Sequence, residues 1–452
     1  MKALFISLLG SLLLISILQA QTAKAPDEWK VPVAHAHSFL QLLQQSQYDS
    51  ALTYFDATMK SALPAKKLEN MWKTLQEQMG AFQEQGAVRT EKVQGYHVVY
   101  VTCVFKEGKL DAKMVFDSKN KIAGLFFVPH QESGSYKMPS YVNPRAFTEI
   151  DTLKLPNKWH LPATLSLPNG AGPFPAVILL HGSGPGDRDE TIGPNKPFKD
   201  LALGLASRGI AVLRFDKRTY VFPNIVRLLK GKFTVQDETI DDALTAARFL
   251  KEFKKVDPDR VFLLGHSLGG YLIPRIARQC PCAAGFIIMA GAARPLPVLI
   301  REQYRTIFSL DGKIDRTERR KLREIDSLTA LVQSPKYWNN TDPLAMVLGA
   351  PPAYWKDLAQ YDLQKAAGCL HKPVLVLQGG KDYQVTKKDF VLWKRYLKND
   401  SQSRFVFYPD LNHLFMKVPG IPSPAMYEIR GHVALRVIKD IAQWIKETSA
   451  RK

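Results

Sequence analysis

Val261-Phe262-Leu263-Leu264-Gly265-His266-Ser267-Leu268-Gly269-Gly270 passes from an apolar run to a serine set between glycines, and then into a helical pattern. A strand covered on both faces of a parallel sheet reads as such a continuous apolar run. The G-x-S-x-G that ends it has the form of a nucleophile elbow, a sharp strand-to-helix turn that holds one serine hydroxyl exposed. Gly265 lets strand and helix approach each other. Gly269 and Gly270 keep side chains out of the space a substrate carbonyl needs.

Two further segments supply partners for Ser267. Pro373-Val374-Leu375-Val376-Leu377-Gln378-Gly379-Gly380-Lys381-Asp382 is a second apolar run that leads through two glycines into an aspartate. Ser403-Arg404-Phe405-Val406-Phe407-Tyr408 is strand-like, and the turn Pro409-Asp410-Leu411-Asn412 then delivers His413. A serine hydroxyl is too weak an acid to attack unaided at neutral pH. A histidine must take its proton, and a carboxylate must fix the histidine tautomer and offset the imidazolium charge. Ser267 is therefore expected as nucleophile, His413 as general base and then acid, and Asp382 as the orienting carboxylate. Asp410 and Asp362 are rivals for the last role. Asp410 sits in Pro-Asp turn chemistry, lacks a glycine pair at a strand end, and is expected to form a turn.

A third apolar run, Ala176-Val177-Ile178-Leu179-Leu180, ends in His181-Gly182-Ser183-Gly184-Pro185-Gly186. Acyl transfer builds negative charge on the former carbonyl oxygen, where preorganised N–H donors typically supply the largest catalytic term. One donor is expected from Leu268, the residue after the nucleophile, and the other from Ser183, with Gly184 as the neighbouring candidate.

The chain resembles the α/β-hydrolases, and among them secreted bacterial serine esterases with an extra N-terminal domain. The resemblance rests on His181-Gly182-Ser183-Gly184-Pro185 with its acidic tail Asp187-Arg188-Asp189-Glu190, on Phe215-Asp216-Lys217-Arg218, on Gly265 to Gly270, on Gly379-Gly380-Lys381-Asp382, and on Asn412-His413. The chain order serine, aspartate, histidine is that of this fold. The resemblance covers roughly residues 141 to 452. It implies a mostly parallel, doubly wound sheet with a helical cap, and hydrolysis of carboxylic esters through an acyl-enzyme with no metal or organic cofactor. Thr219-Tyr220-Val221-Phe222-Pro223 follows Arg218, where such enzymes usually carry glycine.

At 452 residues with 46% apolar content the chain is expected to form two globular domains. Residues 1 to 20 stand apart: Lys2, an almost unbroken apolar stretch from Ala3 to Leu18, and Leu18-Gln19-Ala20 before Gln21. This is the pattern of a secretory signal peptide, short for a membrane span and followed by polar sequence. Export to the periplasm or the medium is the expectation, with no stable membrane insertion. The four cysteines, Cys103, Cys280, Cys282 and Cys369, form no disulfide framework. Cys280 and Cys282 are too close for a good bridge with each other, although either could pair with Cys369. Their spacing matches no metal site. The net charge of +20 is spread along the chain, and its densest cluster, Arg316, Arg319, Arg320, Lys321 and Arg323, alternates with Asp315, Glu318 and Glu324. That is a solvated helix face, and no nucleic-acid-binding motif accompanies it.

Residues 33 to 130 lie outside the hydrolase pattern. Ser38 to Leu63 and Leu68 to Phe82 have near-helical apolar spacing. Tyr96 to Phe105, Lys113 to Phe116 and Ile122 to Val128 then read as strands, with a turn at Asp117-Ser118-Lys119-Asn120. A helix packed on an antiparallel sheet is expected. The pattern resembles the cone-shaped fold of the ketosteroid isomerase and scytalone dehydratase superfamily, and binding or dimerisation is its expected role. Residues 131 to 143 are expected as linker and 144 to 452 as hydrolase. An insertion at about 293 to 366, helical over Pro295 to Phe308, Arg316 to Gln333 and Pro352 to Tyr361, is expected to cap Ser267. Besides a carboxylesterase acting on small-molecule esters, two readings stay open. One is a serine peptidase of the aminopeptidase or prolyl type, with Asp187, Asp189 and Glu190 anchoring a substrate amine. The other is a non-catalytic binding protein. Oligomeric state is not legible.

Overall fold

The computed structural model describes residues 27–93, 96–130, 136–281, 283–398 and 401–450. The expected signal peptide at residues 1 to 20 and Cys282 lie outside them. The chain divides into two compact units, Met1–Ser133 and Gly134–Lys452. Among the described residues no helix is long and apolar enough to cross a membrane.

The first unit is a four-stranded antiparallel meander, β1 (Phe82–Val93), β2 (Tyr96–Phe105), β3 (Gly108–Phe116) and β4 (Ile122–Pro129), in spatial order β1-β2-β3-β4. Helix Asp27–Gln44 packs Phe39, Leu40 and Leu43 onto Val99, Val101, Met114 and Phe116 of the sheet. Helix Ala65–Met79 adds Trp72, whose ring lies 5.3 Å from Phe82 and 5.9 Å from Phe105. Each such side chain removed from water contributes about 1.5–3 kcal/mol. The expected turn is present: Asp117 accepts from the N–H groups of Lys119 (2.9 Å) and Lys121 (2.8 Å), and Asn120 takes φ +55°. Strand β1 differs from the expectation, which ran a helix to Phe82 and began the sheet at Tyr96. Phe-Gln-Glu-Gln-Gly-Ala-Val-Arg-Thr-Glu-Lys-Val is an edge strand, and none of its described side chains is buried. It carries little of the apolar signal that betrays inner strands.

The second unit is built on an eight-stranded sheet in the order β12-β11-β10-β9-β7-β8-β6-β5. The strands are β5 (Phe147–Lys154), β6 (Pro162–Pro168), β7 (Phe174–Leu180), β8 (Ala211–Phe215), β9 (Val256–His266), β10 (Gly285–Met289), β11 (Val374–Gly379) and β12 (Arg404–Tyr408). The β5–β6 and β6–β8 pairings are antiparallel, and all the others are parallel. The apolar runs have no polar face because both faces are covered. Ile178, Leu263 and Val376 enter one core, with Tyr271 and Leu272 of helix Leu268–Ala277. Val177, Leu179, Phe262, Leu264 and Leu375 enter the other, beneath helices Pro197–Ala206 and Leu435–Ala450. The chain leaves β7 for β8 on one side and returns to β9 on the other. Such a reversal opens a crevice at the carboxyl ends of the strands, where ligands bind in open α/β sheets.

Residues 136–143 belong to this second unit and correct the expected linker. The Tyr136 hydroxyl donates to Asp200 Oδ1 (2.6 Å), the Tyr141 hydroxyl donates to the Val433 carbonyl (2.8 Å), and Val142 is buried. A polar, aromatic, proline-containing stretch reads as linker in sequence, yet here its aromatics have partners.

The insertion forms helices Leu296–Phe308, Arg316–Val332 and Pro352–Ala359. Asp315 and Glu318 close a reciprocal capping box at 2.8 Å each, and Arg316, Arg319, Arg320 and Arg323 are exposed, as the alternating charges require. The cap docks through Tyr354 and Trp355, which join the core beside Tyr271, and through Arg275, which holds Asp357 by two hydrogen bonds of 2.8 and 2.7 Å. The Cys103 thiol is buried, and desolvation pushes its pKa to about 12; Cys369 is exposed and free.

Candidate active site

Ser267 stands between β9 and helix Leu268–Ala277 with φ +53° and ψ −112°, a conformation that a non-glycine residue adopts at a cost of about 1–3 kcal/mol. Its N–H donates to the Met289 carbonyl at 3.0 Å, which ties the strained turn to β10. The glycines are required by contact. A Cβ on Gly265 would come within 2.3 Å of the Gly269 backbone, and one on Gly269 within 2.5 Å of the Leu180 carbonyl oxygen.

His413 follows β12 and is buried, with Nδ1 2.7 Å from Asp382 Oδ2. Asp382, beyond β11, is held from several directions: Oδ1 accepts from the N–H groups of Gln384 (2.8 Å) and Val385 (2.9 Å), and Oδ2 accepts from Gln378 Nε2 (3.1 Å). These donors fix the plane of the carboxylate. The rivals are employed elsewhere. Asp410 is half-buried and pairs with Arg436, and Asp362 caps helix Leu363–Gly368 by accepting from the Lys365 N–H at 2.9 Å.

Ser267 and His413 face one cavity of about 120 Å³, together with Ser183, Gly184, Glu190 and Gln384. Ser183 and Gly184 are exposed to it. Gly184 has φ +81°, and a side chain there would meet nothing within 4 Å. Leu268 is the first residue of its helix, so its N–H has no partner within the helix. Gly182 is committed differently, since its N–H donates to Glu190 Oε1 at 3.0 Å. Of the three expected donors, Ser183 and Gly184 line the cavity, and Leu268 is buried and is not among its lining residues. No residue of the insertion is among those lining this cavity.

The cap reaches the site from behind. Lys217, buried after β8, donates all three ammonium protons: to the carbonyls of Gly182 (2.6 Å) and Gly184 (2.9 Å), and to Glu238 Oε1 (2.5 Å). Glu238 Oε2 in turn accepts from the hydroxyl of Tyr354 on the cap at 2.6 Å. Burial and the Glu238 charge push the Tyr354 pKa far above its ordinary value, so that hydroxyl remains a donor. The Asp216-Lys217-Arg218 motif is therefore structural throughout. Asp216 holds Arg188 by its N–H, Nε and Nη2 at 2.8, 3.0 and 2.9 Å, and Arg218 holds Asp242 at 2.6 Å. Thr219 lies in a single helical turn, Arg218–Val221, and is not among the residues at positive φ, so glycine is not needed there. Lys217→Met would strand Glu238 as an unpaired buried charge. Loss of about 3–5 kcal/mol in denaturant unfolding is expected, together with a fall in kcat as the donor loop loosens; native stability would contradict this.

Sequence reading missed Lys217, Glu238 and Tyr354 as a unit, and it also missed the buried pairing of Glu190 with His266 (Oε1 to Nδ1, 2.9 Å). Their only sequence signal is charge where apolar residues are expected.

A profile described as the alpha/beta hydrolase family matches residues 177–420, and one described as a protein of unknown function, DUF3887, matches residues 36–125. The chain is 38% identical over 410 residues to esterase EstD of Thermotoga maritima, with 91% of this chain and 94% of that protein covered. Among solved structures it is similar to Est1E from Butyrivibrio proteoclasticus, at 18% identity and a TM-score of 0.41, covering 68% of this chain and 99% of that one. It is also similar to a puromycin-hydrolyzing peptidase of Mycobacterium tuberculosis, at 16% identity and a TM-score of 0.41, covering 77% of this chain and 46% of that one. On the family profile and a relative matched over nearly its whole length, the chain belongs to the alpha/beta hydrolase family.

Proposed function

We propose that the protein hydrolyses carboxylic esters of short acids through an acyl-enzyme on Ser267. The observation that carries this reading is one cavity faced by the strained Ser267 and by His413, with His413 Nδ1 held by Asp382. His413 Nε2 takes the Ser267 proton as Oγ forms its bond to the ester carbonyl carbon. The carbonyl oxygen becomes an oxyanion received by the N–H groups of Leu268 and Ser183 or Gly184. Collapse of the tetrahedral intermediate breaks the bond to the alcohol oxygen, and His413 returns the proton to that leaving group. Water then repeats the sequence on the acyl-enzyme, releasing the acid and restoring Ser267. Nothing in this sequence calls for a metal or organic cofactor.

The acyl length follows from space. Sites for drug-sized ligands enclose roughly 300–1,000 Å³, against about 120 Å³ here, bordered by Pro185, Thr191 and Ile192. Among p-nitrophenyl esters from acetate to palmitate, kcat/KM is expected to peak at two to four carbons and to fall at least about tenfold by eight, since each methylene a pocket rejects is worth roughly 1–3 kcal/mol. A maximum at eight or more carbons would overturn the short-acid assignment.

The peptidase reading needs a free acidic anchor for an amine; Asp187 and Asp189 have partners, and Glu190, which borders the cavity, is engaged through Oε1 while its Oε2 has no hydrogen-bond partner among the described residues. Asp187 accepts from Thr191 through its N–H (2.9 Å) and its hydroxyl (2.7 Å). Asp189 pairs with Arg214 and Lys196 at 3.0 Å each, and Glu190 Oε1 serves Gly182 and His266. Aminoacyl and prolyl p-nitroanilides run beside the esters should therefore be turned over weakly if at all.

A further inference from the structure

Two side chains beside the reacting groups have no part in the sequence of steps above. Glu190, in the loop after β7, is buried at 7% exposure and held at φ +51°. His266, the residue before Ser267, is buried at 2%. Glu190 Oε1 accepts the Gly182 N–H at 3.0 Å and lies 2.9 Å from His266 Nδ1. His266 Nε2 lies 3.0 Å from the His413 carbonyl oxygen, and the two imidazole rings are 4.6 Å apart. One contact chain thus runs from the oxyanion loop through the elbow to the segment bearing the general base.

The partners dictate the protonation of His266. A carbonyl oxygen only accepts, so Nε2 carries a proton. Nδ1 shares a second proton with a carboxylate, and imidazole is the stronger base by about two pKa units. Burial works against both charges, but their mutual attraction outweighs it: Glu190 is held below the usual carboxylate range and His266 above the usual imidazole range.

We propose that Glu190 and His266 form a buried carboxylate–imidazolium clamp of positioning residues, which fixes the oxyanion loop through Gly182 and the segment bearing the general base through the His413 carbonyl. The clamp rests on the esterase reading only for its consequence in catalysis. The His266 ring lies 4.6 Å from that of His413, whose Nδ1 is held by Asp382. Glu190 bonds the far nitrogen of His266. The other groups facing this cluster are His181, whose pKa burial pushes down and whose Nε2 meets the Asp187 carbonyl at 2.7 Å, and Lys217, whose charge is paired with Glu238. From helix Pro197–Ala206 comes Phe198, with its ring 6.4 Å from that of His266.

The test combines ¹⁵N NMR of the histidine rings in the full-length enzyme with kinetics of Glu190→Gln and His266→Gln on p-nitrophenyl acetate. His266 is expected to show two protonated ring nitrogens at pH 7. Glu190→Gln should lower kcat about 10–100-fold, the range for outer residues that orient reacting ones, with KM changed less than about threefold because the binding surface is retained. Glutamine at 266 keeps two N–H donors and loses the charge. His266→Gln should therefore lower kcat by a similar factor, again with KM changed less than about threefold. A neutral His266 at pH 7, or native kcat in both variants, would overturn the clamp. Ser267→Ala, measured alongside, separates the two claims: its activity decides the acyl-enzyme reading, while the NMR signal of His266 reports the clamp whatever that activity is.

Discussion

Ser267→Ala is expected to lower kcat for p-nitrophenyl acetate by about 10⁴-fold or more, with KM and thermal stability close to those of the parent. The size follows from what the hydroxyl does, because without it neither the acyl-enzyme nor the base that activates it has a role. Single removals of a triad member therefore cost nearly as much as removing all three. The residual rate, supplied by Leu268, Ser183 and Gly184 around water, should remain about 10³–10⁴-fold above the uncatalysed reaction. Stability should hold or rise slightly. Alanine keeps the Cβ that the elbow accommodates and keeps the N–H that donates to Met289. A variant with ordinary turnover would remove Ser267 from the chemistry.

Asp382→Asn carries the second large effect, about 10⁴-fold in kcat. Asp382 accepts at Oδ1 from Gln384 and Val385 and at Oδ2 from Gln378 and His413. An asparagine oxygen can serve the two backbone donors, but the amide NH₂ then faces His413 Nδ1 and stabilises the tautomer with its proton on Nε2. That tautomer cannot take the proton of Ser267. The loss should ease as pH rises, when hydroxide can act as base, and this pH dependence distinguishes a wrong tautomer from a misfolded site. Asp410→Asn, at a turn paired with Arg436, should leave kcat within about twofold, because surface substitutions outside such sites change little.

Legibility in the sequence followed burial. Strands β7, β9 and β11 are covered on both faces, so Ala176 to Leu180, Val261 to Leu264 and Val374 to Leu377 stand out as apolar runs, and the residues just beyond them are Gly182, Ser267 and Asp382. The glycines at 265 and 269 mark close backbone approach, which is a local property of the chain. What stayed hidden depends on contacts between distant segments or on exposed elements. Edge strand β1 is polar on both faces. Residues 136–143 resemble a linker until Asp200 and Val433 are found beside Tyr136 and Tyr141. Glu190 read as one of several acids after a glycine-rich loop. Its partner His266 lies 76 positions away, and no spacing rule joins them. The same holds for Lys217, Glu238 and Tyr354, which tie the cap to the back of the donor loop although the cap does not border the cavity at Ser267.

The most direct measurement is to inactivate the enzyme with diethyl p-nitrophenyl phosphate and locate the adduct by peptide mass spectrometry. One diethylphosphoryl group per chain on Ser267, released p-nitrophenol equal to the activity lost, and no labelling of Ser267→Ala are the predicted results. Stoichiometric inactivation with the phosphoryl group on another residue, or full activity after Ser267 is phosphorylated, would contradict an acyl-enzyme at Ser267.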